Sequence, residues 1–82
     1  MAFVYILESL SSHQYYIGCT NDIERRINEH NNGLSKYTKN RGPWILKYKE
    51  EFDNLRKARL RERQIKSWKK RAAIEKLFGP IV

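Results

Sequence analysis

The opening residues alternate too little to be a surface strand. Residues 3–7 (FVYIL) are β-branched, apolar or aromatic on both faces, the pattern of a strand buried on both sides. Residues 9–14 (SLSSHQ) are polar and turn-forming, and residues 15–17 (YYI) form a second short strand. A β-hairpin is therefore predicted over residues 3–17, with Gly18 ending it in a tight turn. The period then changes. At about 100° per residue, Ile23, Arg26, Ile27 and His30 share a helix face roughly 100° wide. Ile23 and Ile27 direct that face onto a core, which holds Arg26 and His30 at its edge. Asn21 is the expected N-cap, with Glu24 completing a capping-box-like pair. Asn31-Asn32-Gly33 stops the helix, Gly33 being the natural left-handed residue after the last turn.

Residues 34–42 (LSKYTKNRG) read as a basic loop with exposed hydroxyls. Pro43 precedes a third strand over residues 44–48 (WILKY), extending as far as Phe52. From Leu55 onward the pattern is helical. At the same angular step, Glu62 falls on the apolar face with Leu55, Ala58 and Ile65, while Arg59, Arg61 and Arg63 turn elsewhere. A carboxylate there is costly unless a cation or metal meets it. After Lys69-Lys70, Ile74, Leu77 and Phe78 restart the stripe as a short separate helix, closed by Gly79-Pro80.

With 82 residues the chain has room for one domain, residues 1–82, and a small core. Its 40% hydrophobic and 12% aromatic content suits a globular fold. No apolar run reaches the roughly 20 residues of a membrane span, and the N-terminus has no signal-peptide pattern. The lone Cys19 excludes an internal disulfide framework and a cysteine-rich zinc site. A cytoplasmic location with no disulfide-linked partner is expected. The charge changes the picture more. Residues 1–54 carry seven Lys/Arg and seven Asp/Glu, whereas residues 55–82 carry ten Lys/Arg against Glu62 and Glu75, the entire +8. A helical third holding all the net positive charge suggests a polyanion partner, or else a solvated basic surface.

The order of these features resembles the GIY-YIG nuclease domain, and within it the small stand-alone UPF0213 (YhbQ-like) group. Tyr16-Ile17-Gly18 matches the second half of the name motif. Phe3-Val4-Tyr5 occupies the first half, with Phe3 in place of glycine and Val4 in place of isoleucine. Arg26 and His30 stand at the family's spacing after that motif. Glu62, within Ala58, Glu62, Ile65 and Lys66, stands where the family keeps its metal-binding glutamate. The resemblance implies an α+β fold, a three-stranded antiparallel sheet flanked by helices in the order β-β-α-β-α-α. It also implies phosphodiester hydrolysis with one divalent cation, Mg²⁺ or Mn²⁺. Tyr5 would be the general base, Tyr16 would orient water or phosphate, Arg26 would neutralise the transition state and Glu62 would hold the metal. Tyrosine is a poor base near neutral pH unless a positive field lowers its pKa.

Taken singly, these residues have plain structural roles. Tyr5 and Tyr16 could be packing aromatics, Arg26 could pair with Glu29, and His30 could satisfy last-turn carbonyls. Glu62 could pair with Lys66, the favourable i,i+4 orientation. Cys19, Trp44 and Trp68 read as packing residues, Trp68 being the better candidate for stacking on a base. Taken together in the family's order, they point to a DNA endonuclease, structure-selective or non-specific, acting on duplex, branched, nicked or flapped DNA, with repair, recombination and restriction as candidate settings. Lys36, Lys39 and Arg41 in the loop, with Arg59, Arg63, Lys66, Lys69, Lys70 and Arg71 in the basic third, would contact phosphates. The alternative is a nucleic-acid-binding module on the same fold, non-catalytic or dependent on a partner protein to present its substrate.

Overall fold

The apolar run at residues 3–7 becomes the middle of the molecule. In the computed structural model, which describes residues 1–79, β1 (Ala2–Ser9) lies between β2 (Tyr15–Thr20) and β3 (Trp44–Phe52) in one antiparallel sheet. α1 (Ile23–Asn31) connects β2 to β3. α2 (Leu55–Ser67) and α3 (Arg71–Glu75) follow β3, and α3 runs into a 3₁₀ turn at Lys76–Phe78. This is the expected α+β order, β-β-α-β-α-α. Pro80, expected to help close the last helix, lies outside the described residues. No helix among the described residues is long and apolar enough to cross a membrane.

Val4, Tyr5, Ile6 and Leu7 are all at most 1% exposed, so β1 is covered on both faces. On one face Ala2, Val4, Ile6 and Ile17 meet Ala58 and Ile65 of α2. On the other, Tyr5, Leu7 and Trp44 pack with Ile23 and Ile27 of α1. β3 serves both layers. Its pairing with β1 shifts between Ile6 and Leu7, which oppose Tyr48 and Leu46, leaving Lys47 as the extra residue. One extra residue reverses the face a strand presents. Trp44 and Leu46 accordingly pack on the α1 side, and Tyr48 and Phe52 on the α2 side.

Three local expectations are corrected. Gly18 does not end β2, which continues through it to Thr20; Gly18 pairs with Tyr5 and is needed for space, not for a turn. The N-cap of α1 is Asp22, one residue after Asn21, with its carboxylate accepting from the Arg25 backbone N–H. Thr20 Oγ1 takes the Asp22 N–H, so Glu24 completes no capping box. In the basic loop, Ser35 and Thr38 are buried, not exposed. The stop is as expected: Gly33 has φ 74, its N–H donates to the His30 carbonyl and that of Leu34 to the Glu29 carbonyl, a Schellman ending.

Two charged networks fix the helices of the far layer. Arg61 pairs with Glu50 on β3 (3.0 Å) and lies 5.5 Å from the centre of the Trp68 ring, so Trp68 already has a stacking partner. Arg71 stacks on Tyr15 at 3.9 Å and donates to the His13 carbonyl at 2.6 Å. It also pairs with Glu75, which accepts the Tyr15 hydroxyl at 2.8 Å. Arg71 thus ties α3 to the hairpin, a role its place in a basic run did not suggest.

Candidate active site

Gly18 and Tyr5 face each other across β1 and β2. A Cβ at position 18 would lie 2.5 Å from Tyr5 Oη and 2.6 Å from Cζ, so the Tyr5 phenol occupies the space a side chain would take. The hydroxyl is 2.9 Å from His30 Nε2, and His30 Nδ1 is 2.7 Å from Thr38 Oγ1. Tyr5, His30 and Thr38 are each 1% exposed, and this buried chain of three leaves neither imidazole nitrogen unpartnered. The half-exposed Tyr16 ring meets His30 edge-on at 4.7 Å. Trp44 closes the cluster by donating from Nε1 to the Thr38 carbonyl at 3.1 Å. The Asn31 amide, at the end of α1, holds both the N–H and the carbonyl of Trp44, which fixes the loop that carries Thr38.

Burial sets the electrostatics. It lowers the His30 pKa, with help from the nearby Arg26 charge, to about 4, so the imidazole is neutral at ordinary pH. Burial likewise pushes the Tyr5 hydroxyl above its usual value. Arg26 works against that rise, while Tyr16 and Glu62 add to it. For Arg26 burial disfavours the charge, but Glu29 (3.0 Å) and Tyr5 outweigh it and keep the guanidinium firmly protonated. The ion pair with Glu29 read from the helix spacing is therefore present, and the same guanidinium opposes the rise in the Tyr5 pKa.

Glu62 comes from the other layer. It is on α2, with a side chain 19% exposed and Lys66 Nζ 2.7 Å away. Its charge reaches Tyr5 and also Cys19, whose thiol is pushed up by burial and then by Glu62. A thiol held protonated is a packing residue, as expected. Arg59, Arg63 and Lys66 surround the Glu62 carboxylate in a shallow concavity of about 210 Å³. Tyr5, Tyr16, Arg26 and His30 thus form one cluster on the α1 face, and Glu62 stands apart from it on the α2 side. Lys36, Lys39, Arg41, Lys69 and Lys70 are exposed, whereas Arg71 is engaged within the fold.

Thr38 is the site residue that sequence reasoning missed. No periodicity marks it, since it lies between charged loop residues. The one available signal was indirect: a histidine at a core edge needs partners for both ring nitrogens.

Among the described residues no three His, Cys, Asp or Glu side chains gather into a metal-holding group. A closed zinc-type shell is therefore not built here. A single half-buried carboxylate with cationic side chains around it does fit Mg²⁺ or Mn²⁺, which keep most of their waters and can take phosphate oxygens. Such a cation would compete with the Lys66 ammonium for the Glu62 oxygen.

This arrangement has relatives. The family model described as the GIY-YIG catalytic domain matches residues 1–76. A UPF0213 protein of Clostridium perfringens is 49% identical over 67 residues, 80% of this chain and 71% of its own. Another, from Halobacterium salinarum, is 44% identical over 79 residues, 95% of this chain and 100% of its own. The solution NMR structure of a UPF0213 protein from Bacillus halodurans superimposes with a TM-score of 0.59 at 36% identity, covering 98% of this chain and 89% of that one. A phenol set over a bare glycine, an arginine and a histidine on the following helix, and a fold shared along nearly the full length place this chain in the GIY-YIG family.

Proposed function

We propose that the protein is a DNA endonuclease that hydrolyses phosphodiester bonds with Mg²⁺ or Mn²⁺, and that Tyr5, Tyr16, Arg26, His30 and Glu62 carry the reaction. The observation that carries this reading is the buried chain Tyr5–His30–Thr38. A phenol whose pKa is raised by burial makes a poor free phenolate. It can still relay a proton, because neutral His30 is beside it. In the tautomer with hydrogen on Nδ1, donated to Thr38 Oγ1, Nε2 is free to accept. As water attacks phosphorus, its proton passes to Tyr5 Oη and the Tyr5 proton passes to His30 Nε2. Tyr16, half-exposed against His30, orients the water or the phosphate, and Arg26 answers the charge that builds on the phosphoryl oxygens. When bound at Glu62, the divalent cation would supply the Lewis acid for the leaving oxygen.

The test is cleavage of labelled branched and duplex DNA with Mg²⁺ or Mn²⁺ against EDTA. Cutting should require metal. Glu62→Ala and Tyr5→Phe should slow it by about 10²-fold or more while binding persists. Full-rate cutting by Glu62→Ala overturns the metal assignment. Two observations favour a second reading, a binding module without catalysis: Glu62 is already paired with Lys66, and burial raises the Tyr5 pKa. Salt-sensitive DNA binding with no metal-stimulated product would select it.

A further inference from the structure

A second cavity adjoins the tyrosine cluster. It has a volume of about 420 Å³, and its walls include Gln14, Tyr16, Tyr37, Arg41, Trp44 and Lys66. Tyr16 is common to both, with its ring against His30 on one side and lining the cavity on the other. Tyr37 stands on the basic loop with 71% of its surface exposed. The exposed ring offers an open face. Arg41 and Lys66, both exposed, lie along the cavity lining, and Lys66 also borders the Glu62 concavity. Gln14 adds an amide that both donates and accepts hydrogen bonds.

We infer that this cavity receives an unpaired nucleobase next to the phosphate held at the tyrosine cluster, with the Tyr37 ring as its stacking platform. The chemistry of the lining favours this occupant. Aromatic faces suit a planar heterocycle, two cations suit the flanking phosphates, and an amide suits a base edge. A base inside a duplex cannot enter without leaving its stack, whereas an unpaired base enters without that cost. The site thus selects single strands, flaps and gaps over intact duplex. The inference rests on the nuclease reading only for the position of the phosphate, and its own test is binding without metal.

The experiment measures equilibrium binding, in EDTA, of a short single-stranded oligonucleotide and of a blunt duplex, to wild type, Tyr37→Ala and Tyr37→Phe. A 2-aminopurine in the single strand reports stacking. Tyr37→Ala should weaken single-strand binding by about 5- to 150-fold, abolish the 2-aminopurine quenching and leave duplex binding unchanged. Tyr37→Phe should retain the wild-type behaviour. Because Tyr37 is exposed, the alanine variant keeps its fold, which a melting curve checks. Equal weakening on both substrates, or on neither, overturns the inference. If the predicted binding pattern appears but no DNA is cut with metal, the nuclease reading fails and the base pocket stands. If DNA is cut and Tyr37→Ala binds single strands normally, the pocket fails and the nuclease reading stands.

Discussion

Gly18→Ala is the substitution that most directly tests how the tyrosine cluster is built. The new methyl group would lie 2.5 Å from Tyr5 Oη, 2.6 Å from Tyr5 Cζ and 3.1 Å from Tyr16 Cε1. The two Tyr5 atoms cannot retreat freely. The Tyr5 ring is 1% exposed, and its hydroxyl is bonded to His30. Overpacking of this kind costs about 1–3 kcal/mol. Moving the ring also breaks the buried hydrogen bond to His30, which adds roughly 1–3 kcal/mol. Against this, Gly18 is not among the positive-φ glycines, so alanine regains about 0.5–1 kcal/mol of backbone entropy. The balance is ~3 kcal/mol of lost stability. In a domain of this size one kcal/mol moves the Tm by about 4–8 °C, so the expected fall is roughly 12–24 °C. Thermal melting by circular dichroism measures it, and histidine-ring NMR reports whether His30 has lost its partner. A variant melting within about 4 °C of wild type, with the His30 signals unmoved, would refute the claim that the Tyr5 phenol fills the glycine's space.

Two further expectations concern the same buried chain. His30 has a folded pKa of about 4 against an ordinary 6.5, so between these values the unfolded chain binds a proton that the folded chain does not. Stability is therefore complete above pH 6.5, falls as the pH drops and levels off below about pH 4. The loss is roughly 3 kcal/mol, and urea midpoints across this range should show a shallower slope in His30→Gln. An unchanged slope sinks the assignment. Thr38→Val removes the partner of His30 Nδ1 and should cost about 1–3 kcal/mol, whereas Thr38→Ser should restore it. A valine variant as stable as wild type in chemical denaturation would mean that the hydroxyl does not hold the imidazole.

The parts of the fold legible in the sequence are those whose cause is local. Residues 3–7 are apolar on both faces, and a strand of that kind has to lie between two layers. Ile23, Ile27 and His30 share a helical period, and Gly33 sits where a left-handed residue was needed. Gly18 was misread because a glycine in sequence signals a turn, while its reason here is a phenol on the neighbouring strand, a contact between residues 13 positions apart. Asn21 and Asp22 are both good caps, and only the backbone path chooses between them. Thr38 and Arg71 belong to the same class as Gly18. One looks like a solvated loop hydroxyl and the other like part of a basic run, and each is decided by a partner distant in sequence. Glu62 was legible as a carboxylate on an apolar face with Lys66 one turn on, but Arg59 and Arg63, expected to turn elsewhere, join it in the same concavity, all from α2 itself.

The position of Tyr5 on β1 has a consequence for how the molecule loses its site on warming. β1 is the strand paired along both edges and covered on both faces. Backbone of that kind releases its amide hydrogens only when the whole domain opens, whereas loops and helix ends open independently. Thr38 rides on a loop, and Lys66 on the last turn of α2. The phenol is thus set in the portion that melts last, among partners set in portions that loosen first. The site is dismantled from its rim inward, around a tyrosine that stays in place until the fold itself gives way.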